Sequence, residues 1–399
     1  MTEKKTPEIR FKGFQGEWEK SKLGEVADIV GGGTPSTNIE EYWNGEVDWY
    51  SPAELGKQIY LSNSKKKITK LGLQKSSAKI LPIGSVLFTS RAGIGNTAIL
   101  AKEGTTNQGF QSIIPHKDKL DSYFIYSKTY ELKRYGEING AGSTFVEISG
   151  KQMVQMPIKI PEIKEQRAIS CFFRRMDHLI TLQQRKCDKL QSLKKAMLEK
   201  MFPKDGADVP EVRLRGFTGA WEKRKLGNCF DERQERSAEG ELISVTINDG
   251  IKRFEELGRH DNSSEDKSHY KRVEVGDIAY NSMRMWQGAS GYSLYSGILS
   301  PAYTVLIPKE DVDSVFFSYA FKRSQMIHIF QICSQGITSD TWNLKFPAFS
   351  EIETILPGLE EQKKIGQYFR NLDQFIDLQQ HKLEKLKNIK QALLQKMFV

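Results

Sequence analysis

The chain has 399 residues, 38% hydrophobic and 27% charged, a composition that excludes general disorder and leaves room for two or three domains with cores. Its 59 lysines and arginines exceed its 50 acidic residues by nine, with a pI near 9.1, a balance that biases the surface toward polyanions. Four dispersed cysteines with no C-x-x-C pair, histidines without zinc spacing, no run near the roughly 18 apolar residues of a membrane span and no apolar stretch in MTEKKTPEIR predict reduced thiols, no metal site, no membrane association and a cytoplasmic location.

Residues 1–24 form a lead-in segment containing PEIRFKGFQGEWEKSKLG, and Trp18 is its expected anchor. Residues 25–160 form a first insert, with strands expected over 85–89 and 111–115, a helix over 118–135 and a last strand over 156–160. Its loops carry Lys65, Lys66 and Lys67, then Arg91 and Asn96. Lysine clusters suit phosphates, while arginine and carboxamide side chains in tight loops suit guanine and adenine edges. The GGG of VGGGTPST is followed by no Lys-Ser/Thr, so a turn is expected there rather than a phosphate cradle.

Residues 161–203 read as one long helix. Pro161 with Glu162 and Glu165 marks its start. Ile169, Phe172, Met176, Leu179, Leu190, Leu193 and Met197 are expected on one heptad seam, interrupted by Gln183 and Lys186, with Phe173, Ile180 and Leu182 widening the apolar face. Residues 204–227 repeat the lead-in as PEVRLRGFTGAWEKRKLG, with 12 identities in 18 positions and Trp221 in place of Trp18.

Residues 228–356 form a second insert with the same expected order: strands over 277–281 and 303–308, a helix over 311–330 and a last strand over 352–356. Lys252, Arg253, Lys271, Arg272, Arg284, Gln287 and Asn343 are its candidate nucleic-acid contacts. Residues 357–399 repeat the helix, with 20 identities in 42 positions between 161–202 and 357–398. Ile365, Tyr368, Leu372, Phe375, Leu386, Ile389 and Leu393 form its expected seam, interrupted by Gln379 and Lys382, with Phe369, Ile376 and Leu378 alongside. Each helix would be about 60 Å long at 1.5 Å per residue.

The repeats agree far better than the inserts between them, so duplication kept a frame and released its contents. The expected fold is α+β: two mixed α/β domains separated by two long helices that pair as an antiparallel coiled coil, related by an internal pseudo-two-fold. The polar seam middle suits a fixed antiparallel register, and the wider apolar face calls for a further cover. No Asn/Asp-Pro-Pro-aromatic methylation loop and no defensible nucleophile or nuclease cluster is present, so the chain is expected to recognise rather than catalyse.

The two G-F-x-G-x-W-E-K-x-K-L-G lead-ins, at 13–24 and 216–227, and the two P-x-x-x-E-Q starts, at 161–166 and 357–362, precede helices that end in Lys-Met-Phe. On these motifs the whole chain resembles the specificity subunit of type I restriction-modification systems. The resemblance implies that the inserts are target-recognition domains, each reading half of a split, asymmetric site in double-stranded DNA. It implies that the helices are spacers and docks for two methyltransferase subunits, with Ile169, Phe172, Phe173, Met176, Ile180, Leu190, Ile365, Tyr368, Phe369, Leu372, Ile376 and Leu386 as candidate docking and spacer positions. Restriction-translocase subunits would complete the assembly. S-adenosylmethionine, ATP and Mg would reside on those partners, with no cofactor on this chain. The alternative is a free-standing DNA-binding regulator without methyltransferase partners.

Overall fold

The computed structural model describes residues 5–56, 58–91, 93–141, 146–204, 206–247, 250–258, 260–261, 263–339 and 341–399. The chain forms two compact units, Met1–Leu182 with Leu383–Val399, and Gln183–Lys382. This division cuts both long helices, Ile163–Lys200 and Leu359–Met397, near their midpoints. Compactness therefore follows a different partition from the six segments read from the repeats. No helix among the described residues is long and apolar enough to cross a membrane.

In the first unit the lead-in strand Glu19–Lys22 pairs antiparallel with Pro157–Ile160, so the two ends of the insert are fastened side by side. A five-stranded sheet runs in the order Ala27–Gly31, Gln111–Pro115, Val86–Phe88, Thr97–Leu100, Tyr60–Leu61. Val86–Phe88 and Thr97–Leu100 are buried at every position, as central strands covered on both faces must be. A second sheet joins Lys66–Ile68, Trp43–Tyr50 and Thr105–Thr106. The glycine run is a close approach: a Cβ on Gly32 would lie 1.9 Å from the Asn107 carbonyl oxygen, and one on Gly33 2.3 Å from the Ala78 nitrogen.

The second unit repeats this plan. Glu222–Lys225 pairs antiparallel with Glu353–Leu356. Phe230–Glu232, Tyr303–Pro308, Ile278–Asn281 and Ser290–Tyr292 follow the same spatial order as the first four strands of the first sheet. Two short ribbons, Ile243–Thr246 with Gly250–Arg253 and Lys271–Val273 with Gly297–Leu299, replace the first unit's three-stranded sheet.

The helices expected over 118–135 and 311–330 are each broken in two, as Ser122–Ser127 with Thr129–Asn139, and Ser314–Ala320 with Ser324–Cys333. Both breaks place a buried cation on aromatic faces. Lys128, with no side-chain exposure, lies over Trp18, Phe124 and Phe398 and pairs with Glu131 at 2.7 Å. Arg323 lies over Phe202 and donates to the Pro203 carbonyl at 2.9 Å. Burial holds the Lys128 pKa below that of an ordinary lysine. The Lys-Met-Phe endings thus act as plugs: Phe398 packs with Trp18, Phe124 and Phe173, and Phe202 with Trp221, Phe316 and Phe369.

The helices run antiparallel within each unit. Asp177 meets Lys390 at 2.6 Å in the first; in the second, Asp373 meets Lys194 at 2.6 Å and Gln183 donates to the Gln379 side chain at 2.9 Å. The seam register differs from the expected one. Phe173, Met176, Cys187, Phe369, Ile376 and Leu383 are buried, whereas Leu179, Leu193, Phe375 and Ile389 are exposed. The true seam spaces residues 169, 173, 176, 180, 183, 187 and 190 by alternating steps of four and three, beginning with four rather than three. Lys186 consequently leaves the seam, with its ammonium 5.2 Å from the Phe375 ring centre, and the Gln183–Gln379 pair remains as the polar break.

Candidate nucleic-acid interface

The repeated motifs are clamps that hold loops in place. Arg10 donates to both oxygens of buried Glu165 at 2.8 and 2.7 Å and to the Gly16 carbonyl at 2.5 Å. Arg213 does the same to Glu361, at 2.8 and 2.7 Å, and to Gly219 at 2.5 Å. The carboxylate hydrogen bond raises both guanidinium pKa values further. The neighbouring glutamine ties the helix to the insert: Gln166 accepts from the Asp121 backbone N–H at 3.0 Å, and Gln362 from that of Asp313 at 3.0 Å. Asp121 and Asp313 in turn cap the first insert helices. Tyr123 and Tyr319 donate to Asp177 and Asp373, and burial raises both phenol pKa values.

Each clamped insert presents a loop beside a hairpin. In the first unit, residues 89–96 turn through Gly93 and Gly95, with φ of 103° and 96°, and Thr89 closes the turn onto Asn96 at 2.9 Å. A Cβ at Gly95 would lie 2.4 Å from Lys133, so that position tolerates only glycine without movement. The Ile148 N–H donates to the Ser90 carbonyl at 3.0 Å, which brings the antiparallel bridge between Ala141 and Glu147 beside this loop. Arg91 and Glu147 are 4.0 Å apart, both partly exposed.

In the second unit the Leu344 N–H donates to the Ser282 carbonyl at 2.9 Å, and Gln335 and Asn343 close the adjacent hairpin. Trp286 and Trp342 join the two segments edge to face at 5.2 Å. This construction brings together Arg284, Gln287 and Asn343. Arg284 and Gln287 are half-buried, and the Asn343 side-chain oxygen is buried and receives no hydrogen bond among the described residues. Counting from the shared backbone bond, Arg91 stands where Met283 stands and Glu147 where Asn343 stands.

The other candidates lie on other elements. Lys65 is exposed; Lys66 lies 5.8 Å from the Trp43 ring centre. Lys67 and Lys102 approach the fully buried Asp48 carboxylate at 3.4 and 3.2 Å. Burial pushes the Asp48 pKa up, but hydrogen bonds from Ser64 and Lys102 and the charge of Lys67 hold it below the ordinary carboxylate value. Arg253 pairs with Glu241 at 3.3 Å, Lys271 with Glu232 at 3.0 Å and Arg272 with Glu274 at 2.5 Å. Half-buried Lys252 lines a cavity of about 520 Å³ with Tyr292, Tyr319, Arg370 and Asp373.

Among the docking and spacer candidates, Ile169, Phe173, Met176, Ile365, Phe369 and Ile376 are buried within the units. Phe172, Ile180, Leu190, Tyr368, Leu372 and Leu386 are half-buried. Sequence reasoning missed Glu147, Ile337 and the Trp286–Trp342 joint. The available signal was the placement of GAGSTF and QGITSDTW at matching distances before the two last strands.

A family model described as type I restriction modification DNA specificity domain matches residues 15–192 and 220–388. The chain belongs to this family. It is 34% identical over 223 residues to the type I restriction enzyme MjaIX specificity subunit of Methanocaldococcus jannaschii, covering 54% of this chain and 52% of that one. It is 31% identical over 163 residues to the EcoR124I/EcoR124II specificity subunit of Escherichia coli, covering 39% and 40%. These matches span about half of one relative's length and two fifths of the other's. The fold is similar to that of a type I restriction-modification S subunit from M. genitalium, with a TM-score of 0.62, 18% identity and 99% of both chains covered.

Proposed function

We propose that this chain is a non-catalytic, sequence-reading subunit that recognises a bipartite, asymmetric site in double-stranded DNA and directs adenine methyltransferase and ATP-dependent restriction subunits to it. The observation that carries this reading is the duplication: equivalent Arg–Glu clamps fasten like lead-ins to like helices, while the loops of the two inserts carry different side chains. Two unlike readers on like frames suit two unlike half-sites. Arg284, Gln287 and Asn343 in one unit, and Arg91, Asn96 and Glu147 in the other, are the proposed base-reading groups; the exposed lysines make the phosphate contacts that position them. The specificity-subunit family and the named relatives support this assignment.

The methyltransferase subunits dock on apolar side chains that the helices leave open: Leu179, Leu182 and Ile389 in the first unit, and Leu193, Phe375 and Leu378 in the second, each 41–52% exposed. S-adenosylmethionine, ATP and Mg are assigned to the partners. Selection from a random duplex library, by the chain alone and with its methyltransferase subunit, tests the reading at salt high enough to suppress phosphate-only binding. A split motif with unlike halves and a fixed gap is the expected result. Specific binding by the chain alone would instead favour a free-standing regulator.

A further inference from the structure

The two loop pairs occupy equivalent places and differ in the side chains they expose. In the second unit, Ile337 in the hairpin is 99% exposed and Met283 in the adjoining loop 40% exposed. The Trp286 indole N–H donates to the Met283 carbonyl at 3.1 Å, and its ring supports Trp342. The aromatic pair is therefore a scaffold, and the loop and hairpin it joins carry two exposed aliphatic side chains along with the proposed amide readers Gln287 and Asn343. An isoleucine left almost wholly in water contributes nothing to the core, so its apolar surface is available to a ligand. The matching loop of the first unit has Arg91 in the place of Met283, paired with Glu147 next to Val146, which is 41% exposed.

The thymine 5-methyl is the apolar group in the major groove; guanine and cytosine present hydrogen-bonding groups that suit arginine and glutamate. Resting on the DNA-reading function above, we propose that Met283 and Ile337 read the 5-methyl of a thymine in the second insert's half-site.

The test uses the full chain assembled with its methyltransferase subunit on duplexes carrying the selected target. Each thymine is replaced in turn by uracil, which keeps the pairing and removes the methyl. The expected result is a second-half thymine whose replacement weakens binding about four-fold, the worth of one buried methyl-sized group. Combined Met283→Ser and Ile337→Ser substitutions, at exposed positions, make thymine and uracil duplexes bind alike in that half and leave uracil sensitivity in the first half unchanged. A second half that tolerates uracil everywhere while specificity persists overturns this inference and leaves the DNA-reading function intact. Absence of any sequence preference overturns both.

Discussion

Arg10 grips Glu165 and Arg213 grips Glu361 at the same pair of distances, 2.8 and 2.7 Å. The loops of the two inserts share less: Arg91 with Glu147 on one side, Met283, Ile337 and a tryptophan pair on the other. A clamp works only if a guanidinium fork meets a carboxylate in one geometry, so its residues are restricted. On the DNA-reading function proposed above, the exposed side chains of a loop rim are restricted by their ligand instead. Duplication followed by divergence leaves this pattern when the two ligands differ.

The comparison breaks most directly at the clamps. Arg213→Ala leaves the buried Glu361 carboxylate without its partner and should cost about 3–5 kcal/mol, read by denaturant unfolding. Arg10→Ala should cost a similar amount; a much smaller loss would show that the two frames are not equivalent. At the rims, Arg284→Ala should lower discrimination in one half-site by about 1–3 kcal/mol and leave the other unchanged, while Arg91→Ala does the reverse. Competition binding with single-base variants of each half reads the difference, and equal loss on all sequences would mark phosphate contacts instead.

Along the seam, Gln379→Ala strands the Gln183 amide and should cost about 1–3 kcal/mol in thermal or chemical unfolding. The joint change to leucine at both positions should recover stability. The smallest effect concerns a feature peculiar to the first insert. Asp48 has a lowered folded pKa, so its ionisation stabilises the fold above the unfolded carboxylate range, and that contribution disappears as pH falls through the folded value. Asp48→Asn should be less stable by about 1 kcal/mol at pH 7, with the gap closing below about pH 4. Unfolding measured across pH checks the trend.

The repeat, the strands over 111–115 and 303–308 and both long helices were legible because each is a local pattern. The seam register was not. Residues 172 and 173, and again 179 and 180, are apolar neighbours, and only packing against the inserts decides which faces inward. Cys187 and Leu383, beside Lys186 and Lys382, held the clue to the correct spacing. The helix breaks at Lys128 and Arg323 were hidden because they serve aromatic rings near the ends of the repeated blocks. In the rims, sequence located Arg91, Arg284, Gln287 and Asn343, but the bonds that join loop to hairpin connect residues 58 and 62 positions apart.

The completion of the first unit by residues 383–399 has a consequence for biosynthesis. Residues 183–382 are continuous in sequence and have their whole core once residue 382 has left the ribosome. The first unit, although begun earlier, must wait for Lys390 to meet Asp177 and for Phe398 to cover Lys128. At roughly 5–20 residues per second, that wait from residue 182 lasts on the order of 10–40 s. The unit made first is finished last, and until then its unplugged aromatic pocket is a place for chaperones to hold.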